Sequence, residues 1–336
     1  MARVSRGLVG AAVLASVTLV AGGSALAQRQ RLPAECRQQI MEMCRGAEGG
    51  WRQCIATALP KLSDECRKAI SERAASAQPL PPGMAEMSYG RDPLQRLDLV
   101  APAGNKRPPL IVFIHGGGWS IGDKRHAIGA KASYFVGKGY GFASLNYRLV
   151  PQATVEQQAA DIASAIAKLR THAIGSNYDG ERIVLMGHSA GAHLAALVGT
   201  DPQYLKGAGV PMGAIKGIVL LDGAGYNVPT QASAEMNIVK PMYEAAFSKD
   251  PKRQAALSPT RHAAAPNVGR WLILPIERRK DSQAQSKDLA DALNRAGASA
   301  TVVAVPGESH GSLNKGLGEA GDFATEQIER FLAGPR

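Results

Sequence analysis

Short apolar runs alternate with amphipathic segments along most of this chain, and the alternation predicts its fold class. Runs typical of buried strands occur at 110–114, 182–186, 217–221, 271–275 and 300–305. The segment 156–170 between two of them has its apolar residues at helical spacing, and the segment 285–296 behaves similarly. We therefore expect an α/β fold with a mostly parallel sheet that helices cover on both faces.

The alternating pattern defines the expected domain boundaries. It begins near residue 85 and continues to the end, so residues 85–336 are expected to form one α/β domain. Its first strand, at residues 97–100, is expected to lie at the edge of the sheet. From about 223 to 266 the pattern becomes irregular and prolines are frequent, which predicts an insertion. Residues 71–84, rich in Ala, Ser and Pro, are expected to form a linker.

The first 27 residues have the pattern of a secretory signal peptide. Arg3 and Arg6 precede an apolar run at 7–21, and residues 25–27 read Ala-Leu-Ala, a small-residue cleavage site. The run is short for a membrane anchor, because a spanning helix needs about 20 apolar residues. We therefore expect cleavage after Ala27 and export, to the periplasm if the source is a bacterium.

The cysteines predict a small disulfide-linked unit at residues 28–70. Cys36 and Cys44 are eight residues apart, Cys54 and Cys66 are twelve apart, and a Gly-rich turn separates the two pairs. Each pair shares one face of a helix, so an antiparallel hairpin would place Cys44 beside Cys54 and Cys36 beside Cys66. An even number of cysteines in an exported chain favours disulfides. Four cysteines allow three pairings, and we expect this nested one.

The same segment resembles the cysteine-rich repeat first described in a Golgi glycoprotein. The resemblance rests on the four cysteines, the Gly-rich turn and the sequence Leu-Ser-Asp-Glu-Cys at 62–66. Its role is open: a stabilising cap, an envelope-binding module and a spacer are all compatible with it.

The most specific motif is Gly-His-Ser-Ala-Gly at 187–191, which reads G-x-S-x-G. It stands between the apolar run 182–186 and a helix-like segment at 192–198, the order that a nucleophile elbow requires. Glycines two residues before and after the serine lack a Cβ, so strand and helix can pack closely around the turn. Ser189 is therefore the candidate nucleophile.

A second glycine motif, His-Gly-Gly-Gly-Trp at 115–119, follows the apolar run 110–114. Backbone N–H groups at such a strand end are free to point at a ligand and can bind an oxyanion. We expect an oxyanion hole formed by Gly117, Gly118 and Ala190, the residue after the candidate nucleophile.

Together with Asn-Tyr-Arg-Leu at 146–149 and Pro-Gly-Glu-Ser-His-Gly at 306–311, these motifs make residues 85–335 similar to the α/β-hydrolase superfamily. Within it the segment resembles the HGGG-bearing carboxylesterases, related to hormone-sensitive lipase and to feruloyl-esterase-like and formamidase-like enzymes. The resemblance implies a cap formed by the insertion at 223–266 and a small-molecule ester substrate. Trp119 and Tyr226 are candidates to line the substrate pocket.

The resemblance also implies a catalytic triad in the order serine, acid, histidine. His310 is the expected base, because it follows the apolar run 300–305 in a Gly-flanked loop. The acid is less clear, since the usual Gly-Asp-x-Asp type of turn after the run 271–275 is missing. We favour Asp281, which immediately precedes a predicted helix, and keep Glu277 and Asp222 as alternatives.

Charge and ligand spacing limit the possible partners. The net charge is +11, but basic residues are scattered among acidic ones and no aromatic-basic patch predicts nucleic-acid binding. The basic surface could instead contact a cell envelope. No ligand spacing predicts a metal site, and no cofactor is expected.

The sequence therefore favours an exported serine hydrolase acting on carboxylic esters, with short acyl chains. The alternatives are a formamidase-like or amidase-like hydrolase that uses the same triad, and a catalytically silent hydrolase scaffold that binds an envelope component.

Overall fold

The computed structural model describes residues 32–44, 58–76, 80–104, 106–233 and 240–334, which fall into one compact unit. The expected signal peptide at 1–27 and Cys54 lie outside the described residues. In the described part of the chain, no helix combines the length and hydrophobicity needed to cross a bilayer.

A mostly parallel sheet forms the centre of the molecule, and the described residues supply eight strands in the order β1-β2-β4-β3-β5-β6-β7-β8. They are β1 (Ala85–Ser88), β2 (Arg96–Val100), β3 (Pro109–Ile114), β4 (Gly141–Leu145), β5 (Asp179–His188), β6 (Ile215–Leu221), β7 (Arg270–Leu274) and β8 (Ser299–Val302). Strand β2 is antiparallel to both β1 and β4, and the remaining pairs are parallel. The predicted α/β-hydrolase fold class is confirmed.

One predicted detail of the sheet is wrong. The strand expected at its edge, β2, is covered by β1, whose register pairs Ala85 with Leu99. The sequence of β1 is Ala-Glu-Met-Ser, and its side chains are exposed or half-buried. It therefore lacks the hydrophobic pattern by which a strand is recognised.

Helices cover both faces of the sheet. Those before the insertion are α1 (Ala34–Cys44), α2 (Asp64–Ser76), α3 (Lys131–Gly137), α4 (Val155–His172), α5 (Ala190–Thr200) and α6 (Pro202–Gly207). The others are α7 (Val228–Ala232), α8 (Lys240–Phe247), α9 (Pro251–Ala256), α10 (Lys280–Arg295), α11 (His310–Gly316) and α12 (Phe323–Ala333). Short 3₁₀ turns occur at Leu59–Lys61, Met212–Ala214 and Pro259–His262.

Strand β3 shows how the sheet divides the core in two. Leu110, Val112 and Ile114 point into a larger core with helices α4, α5 and α10, and the intervening Ile111 and Phe113 point into a smaller core with α3, α11 and α12. Successive strand residues face opposite sides. Because both sides are buried, the central strands are continuously apolar.

The insertion at 223–266 contains α7, α8 and α9. Tyr243 and Phe247 of α8 pack edge-on against Trp119, with ring centroids 5.2 Å and 4.7 Å away. The insertion therefore lies over the loop that follows β3, where a cap was expected.

In the cysteine-containing segment helices α1 and α2 lie side by side. The prediction that one helix carries both Cys54 and Cys66 is wrong, because α2 begins only at Asp64, after a 3₁₀ turn at Leu59–Lys61. The expected Cys36–Cys66 disulfide is present, with the two Cα atoms 5.1 Å apart. Cys44 is disulfide-bonded as well, but its expected partner Cys54 lies outside the described residues. Helix α2 continues to Ser76, six residues into the expected linker at 71–84. Ile121, which follows the glycine loop, packs against the small core of this hairpin.

Candidate active site

Ser189 occupies the sharp turn between β5 and α5, with φ 56° and ψ −120°. Few non-glycine residues adopt a positive φ, and a nucleophile elbow is one place where it occurs. A Cβ added to Gly187 would overlap the main chain of Gly191, and one added to Gly191 would overlap the main chain of Ile114. Both glycines of the motif are therefore required for the turn that presents the serine.

His310 reaches this serine from the start of helix α11, which follows β8 in the chain. Its Nε2 lies 2.9 Å from Oγ of Ser189. It is the first residue of α11, which Ser309 caps by accepting a hydrogen bond from the N–H of Ser312. The Nε2 atom of His188 lies 2.8 Å from the main-chain oxygen of His310. Burial, and then the neighbouring His310, lower the pKa of His188 to about 3, so His188 is a neutral donor that holds this backbone.

The carboxylate beside His310 belongs to Asp222, at the end of β6. Its Oδ2 lies 2.6 Å from Nδ1 of His310, and its Oδ1 accepts from the N–H of Ile276 over 3.2 Å. Asp222 has φ 42°, and its own N–H bonds to the carbonyl of Leu274 on the neighbouring strand β7. The strained backbone turns the side chain out of the strand direction and towards the histidine.

Asp222 is fully buried, and its environment favours the ionised form. Burial alone would raise the pKa of Asp222, but the hydrogen bond from His310 and the charge of Arg279 together hold that pKa well below its usual range. The carboxylate is therefore ionised at neutral pH and can orient the imidazole with its proton on Nδ1.

The structure does not bring Asp281, the favoured acid, to the histidine. Asp281 lies in the first turn of α10, and its Oδ2 accepts from Arg279 over 3.0 Å and from Gln231 over 3.2 Å. Glu277 is exposed, and its main-chain N–H pairs with Val305. Asp281 does not reach His310 because the turn after β7 inserts the Arg279 side chain between them. Asp222, kept as an alternative, takes the position that we expected for Asp281.

Arg279 is a site residue that sequence reasoning misses. Its Nη1 donates to Oδ2 of Asp222 over 2.8 Å and lies 3.0 Å from Nδ1 of His310. The sequence feature that contains Arg279 is a run of three basic residues, 278–280, a few positions beyond a buried strand. Such a run ordinarily indicates a solvated surface, so the sequence does not reveal the role.

Gly116, which directly precedes the expected oxyanion donors Gly117 and Gly118, lies against the same serine. Gly117 and Gly118 have φ 125° and 58°, and a Cβ added to Gly116 would lie 2.8 Å from Cβ of Ser189. Ala190 is the first residue of α5, so its N–H has no acceptor within the helix. The glycine loop thus approaches Ser189, and the oxyanion hole formed by Gly117, Gly118 and Ala190 stays a prediction.

The two expected pocket residues are both buried. Trp119 has a positive φ of 62°, and its Nε1 donates to Nδ1 of His193 over 3.3 Å. Burial lowers the pKa of His193 to about 4, which keeps it a neutral acceptor for this bond. Tyr226 is fully buried, and its hydroxyl lies against Gly223 directly after Asp222. Both residues therefore support the loops around the site.

Within the described ranges, no group of three or more His, Cys, Asp and Glu side chains could hold a metal ion. The chemistry that the described site offers is proton transfer from the hydroxyl of Ser189 to His310, next to backbone donors. That combination can activate a serine towards a carbonyl carbon.

Parts of this chain are similar to a known family and to known proteins. The BD-FAE family model matches residues 97–238, which include Ser189 and Asp222 but end before His310. Isoprenylcysteine alpha-carbonyl methylesterase from Arabidopsis thaliana is 31% identical over 241 residues, 67% of this chain and 56% of that protein. The kynurenine formamidase of Salmo salar is 26% identical over 265 residues, 77% of this chain and 85% of that protein. The chain thus spans little more than half the length of the Arabidopsis relative.

A solved structure gives the same picture of the fold. Thermogutta terrifontis esterase 2 phosphonylated by sarin superposes with a TM-score of 0.63 at 24% identity, over 77% of this chain and 99% of that one. The chain therefore has the α/β-hydrolase fold, and its residues 97–238 are similar to the BD-FAE family.

Proposed function

We propose that this protein is an exported serine hydrolase that cleaves carboxylic esters through Ser189, His310 and Asp222. The observation that carries the proposal is the continuous chain of contacts from Oγ of Ser189 through His310 to the ionised Asp222, at 2.9 Å and 2.6 Å. A serine, a histidine and a buried carboxylate in this order are the parts that acyl transfer needs.

The mechanism follows from the positions of the atoms. His310 Nε2 takes the proton of Ser189 as Oγ attacks the ester carbonyl carbon, while Asp222 stabilises the imidazolium that forms. The N–H groups of Gly117, Gly118 and Ala190 stabilise the oxyanion of the tetrahedral intermediate. His310 then protonates the leaving alcohol. Water attacks the acyl-enzyme with His310 as base, and the carboxylic acid leaves.

The packing around the glycine loop supports a preference for short acyl chains. A Cβ on Gly118 would overlap Sδ of Met242, and Tyr243 and Phe247 pack on the adjoining Trp119. Side chains of the cap therefore fill the volume beside the oxyanion donors. This packing supports a preference for acetyl to butyryl esters over long-chain esters.

Hydrolysis of p-nitrophenyl esters from acetate to long acyl chains tests the proposal. Ser189→Ala should lower turnover by about 10⁶-fold, because the nucleophile is lost, and Ser133→Ala, at an exposed serine of α3, is the matched control that should leave it unchanged. A folded wild-type protein that neither turns over esters nor reacts with an organophosphate label would instead support the silent scaffold.

Formamide hydrolysis is the second candidate activity, because the similarity to a kynurenine formamidase extends over 77% of this chain. The same three residues would act, with His310 protonating a leaving amine. Turnover of N-formylated aromatic amines at a higher kcat/KM than that of any ester in the series would favour this activity.

Export is supported by the disulfide chemistry of the hairpin. Disulfides persist in oxidising compartments, and the Cys36–Cys66 bond is closed in this structure. We expect the mature protein in the periplasmic fraction of a bacterial host, and retention in the cytoplasm when residues 2–27 are deleted. Recovery of the full-length protein from the cytoplasm alone would contradict export.

A further inference from the structure

Arg279 joins two carboxylates, of which one contacts the histidine. Its Nη1 donates to Oδ2 of Asp222 over 2.8 Å, and its Nη2 donates to Oδ2 of Asp281 over 3.0 Å. The Oδ2 atom of Asp222 is also the one that lies 2.6 Å from Nδ1 of His310. The guanidinium and the imidazole therefore share one acceptor atom.

The guanidinium also contacts the backbone of Asp222. Its Nη1 lies 3.3 Å from the main-chain oxygen of that residue, whose φ is 42°. A non-glycine residue keeps such a backbone conformation only when its surroundings hold it there. Arg279 thus contacts both the strained backbone and the side chain of the residue that orients the histidine.

A fully buried carboxylate needs a countercharge, and His310 does not supply one before the reaction begins. While Nε2 accepts from Ser189 and Nδ1 donates to Asp222, the imidazole is neutral. The side chain of Asp222 has no exposed surface, and burying an uncompensated charge is costly. Arg279 is the cation in direct contact with it, and Asp281 fixes the other end of that cation.

We propose that Arg279 is a positioning residue, which holds the Asp222 carboxylate against Nδ1 of His310. The line of contacts then runs from Ser189 through His310, Asp222 and Arg279 to Asp281. This inference rests on the proposed function, because the orientation of His310 matters for turnover only if Ser189 and His310 carry out the reaction.

The test is to replace Arg279 by alanine and then to add free guanidinium ion to the solution. Hydrogen bonds to charged groups are worth enough that Arg279→Ala should lower kcat about 10- to 100-fold. The value of KM should change little, because the arginine acts through Asp222. The arginine side chain is 28% exposed, so free guanidinium ion can reach the space that it leaves. We expect guanidinium, well below denaturing concentrations, to restore kcat with saturation.

Three variants separate positioning from a general effect of charge or stability. Arg295→Ala removes an exposed arginine at the other end of α10, about 24 Å along the helix, and should neither lose activity nor respond to guanidinium. Asp222→Asn lacks the charged acceptor, so guanidinium should not restore it. Arg279→Lys keeps one charge but cannot bridge both carboxylates, and should have an intermediate kcat.

Each possible result decides the question. An unchanged or raised kcat in Arg279→Ala, or a lowered kcat that guanidinium does not restore in the folded variant, would overturn the proposal. If the alanine variant does not fold, a kcat of Arg279→Lys equal to that of the wild type would overturn it instead. A folded wild-type protein without turnover would refute the proposed function itself, which makes the two failures distinguishable.

Discussion

Strands β6 and β7 lie side by side, yet the loops that follow them hold their aspartates very differently. Leu221 of β6 pairs with Leu274 of β7 at the ends of the two strands. Asp222 comes directly after this pair and is buried against His310. Asp281 comes seven positions after Leu274, and its side chain is 44% exposed. The carboxylate that contacts the histidine therefore directly follows its strand, whereas the carboxylate that contacts Arg279 lies several residues beyond its strand.

The local backbone explains this difference. The N–H of Asp222 continues the sheet hydrogen bonds by pairing with Leu274, so its position is as fixed as that of a strand residue. After β7 the chain first makes an isolated bridge between Ile276 and Val305, then a turn, and only then enters α10. This detour takes Asp281 away from the sheet and onto a helix, where an arginine lies between it and the histidine.

Among substitutions in these two loops, we expect Asp222→Asn to lower kcat the most. An asparagine cannot hold the imidazole in the tautomer that accepts from Ser189, so kcat for a short ester should fall by about 10⁴-fold. The measurement is steady-state hydrolysis by a variant whose circular dichroism matches that of the wild type. If kcat falls less in Asp222→Asn than in Asp281→Asn, then Asp281 and not Asp222 orients the histidine.

The pH dependence of stability sharpens the comparison. The pKa of Asp222 is held below its unfolded value, so its ionisation stabilises the fold above about pH 4, and this contribution disappears as the pH falls through the folded pKa. For a buried carboxylate the contribution at neutral pH is on the order of 2 kcal/mol. Urea unfolding should show a difference between wild type and Asp222→Asn that is constant from pH 7 to about pH 5 and shrinks as the pH falls below about pH 4.

Asp281 serves as the comparison in the same experiment. Burial would raise the pKa of Asp281, but Arg279 lowers it. Ionisation of Asp281 therefore also stabilises the folded protein, as ionisation of Asp222 does. Because Asp281 is partly exposed, solvent weakens the effect. The difference between wild type and Asp281→Asn should therefore vary less with pH, and an equal or larger variation would contradict the assignment of the buried position to Asp222.

The smallest effects should come from the carboxylates of the β7 loop. Asp281→Asn removes one partner of Arg279 but leaves Asp222 in place, so kcat should fall by less than about tenfold, which is the size of a partly exposed ion pair. Glu277→Gln changes an exposed side chain and should have no measurable effect. These kcat values are to be measured beside those of Asp222→Asn, and a larger loss in Glu277→Gln than in Asp281→Asn would reverse this order.

The residues that the sequence located well are those held by local geometry. The two glycines around Ser189 define a turn within five residues, and the glycine loop at Gly117 and Gly118 directly follows an apolar strand. The choice of the acid depends on a hydrogen bond between Asp222 and Leu274, which are 52 positions apart, and on the path of the chain after β7. No short window of sequence contains that information, so sequence reasoning favours Asp281 over Asp222 and does not identify Arg279.

Fold prediction had the same limits. Alternating apolar runs and amphipathic segments predicted the parallel sheet because central strands are buried on both sides. The short strand β1 carries no such signal, since it lies at the edge and its stability comes from pairing with β2. Likewise, the composition of residues 71–76 is typical of a linker, although α2 extends through them.

The position of Ile121 has a consequence for truncated forms of this protein. Ile121 bonds through its N–H to the carbonyl of Gly117, and its side chain packs on the core that the Cys36–Cys66 bridge closes. The hairpin thus supports the loop that contains Gly117 and Gly118. A protein started at residue 85 would expose that isoleucine to water next to the glycine loop, so we expect it to be less stable than a protein that keeps the disulfide-linked segment.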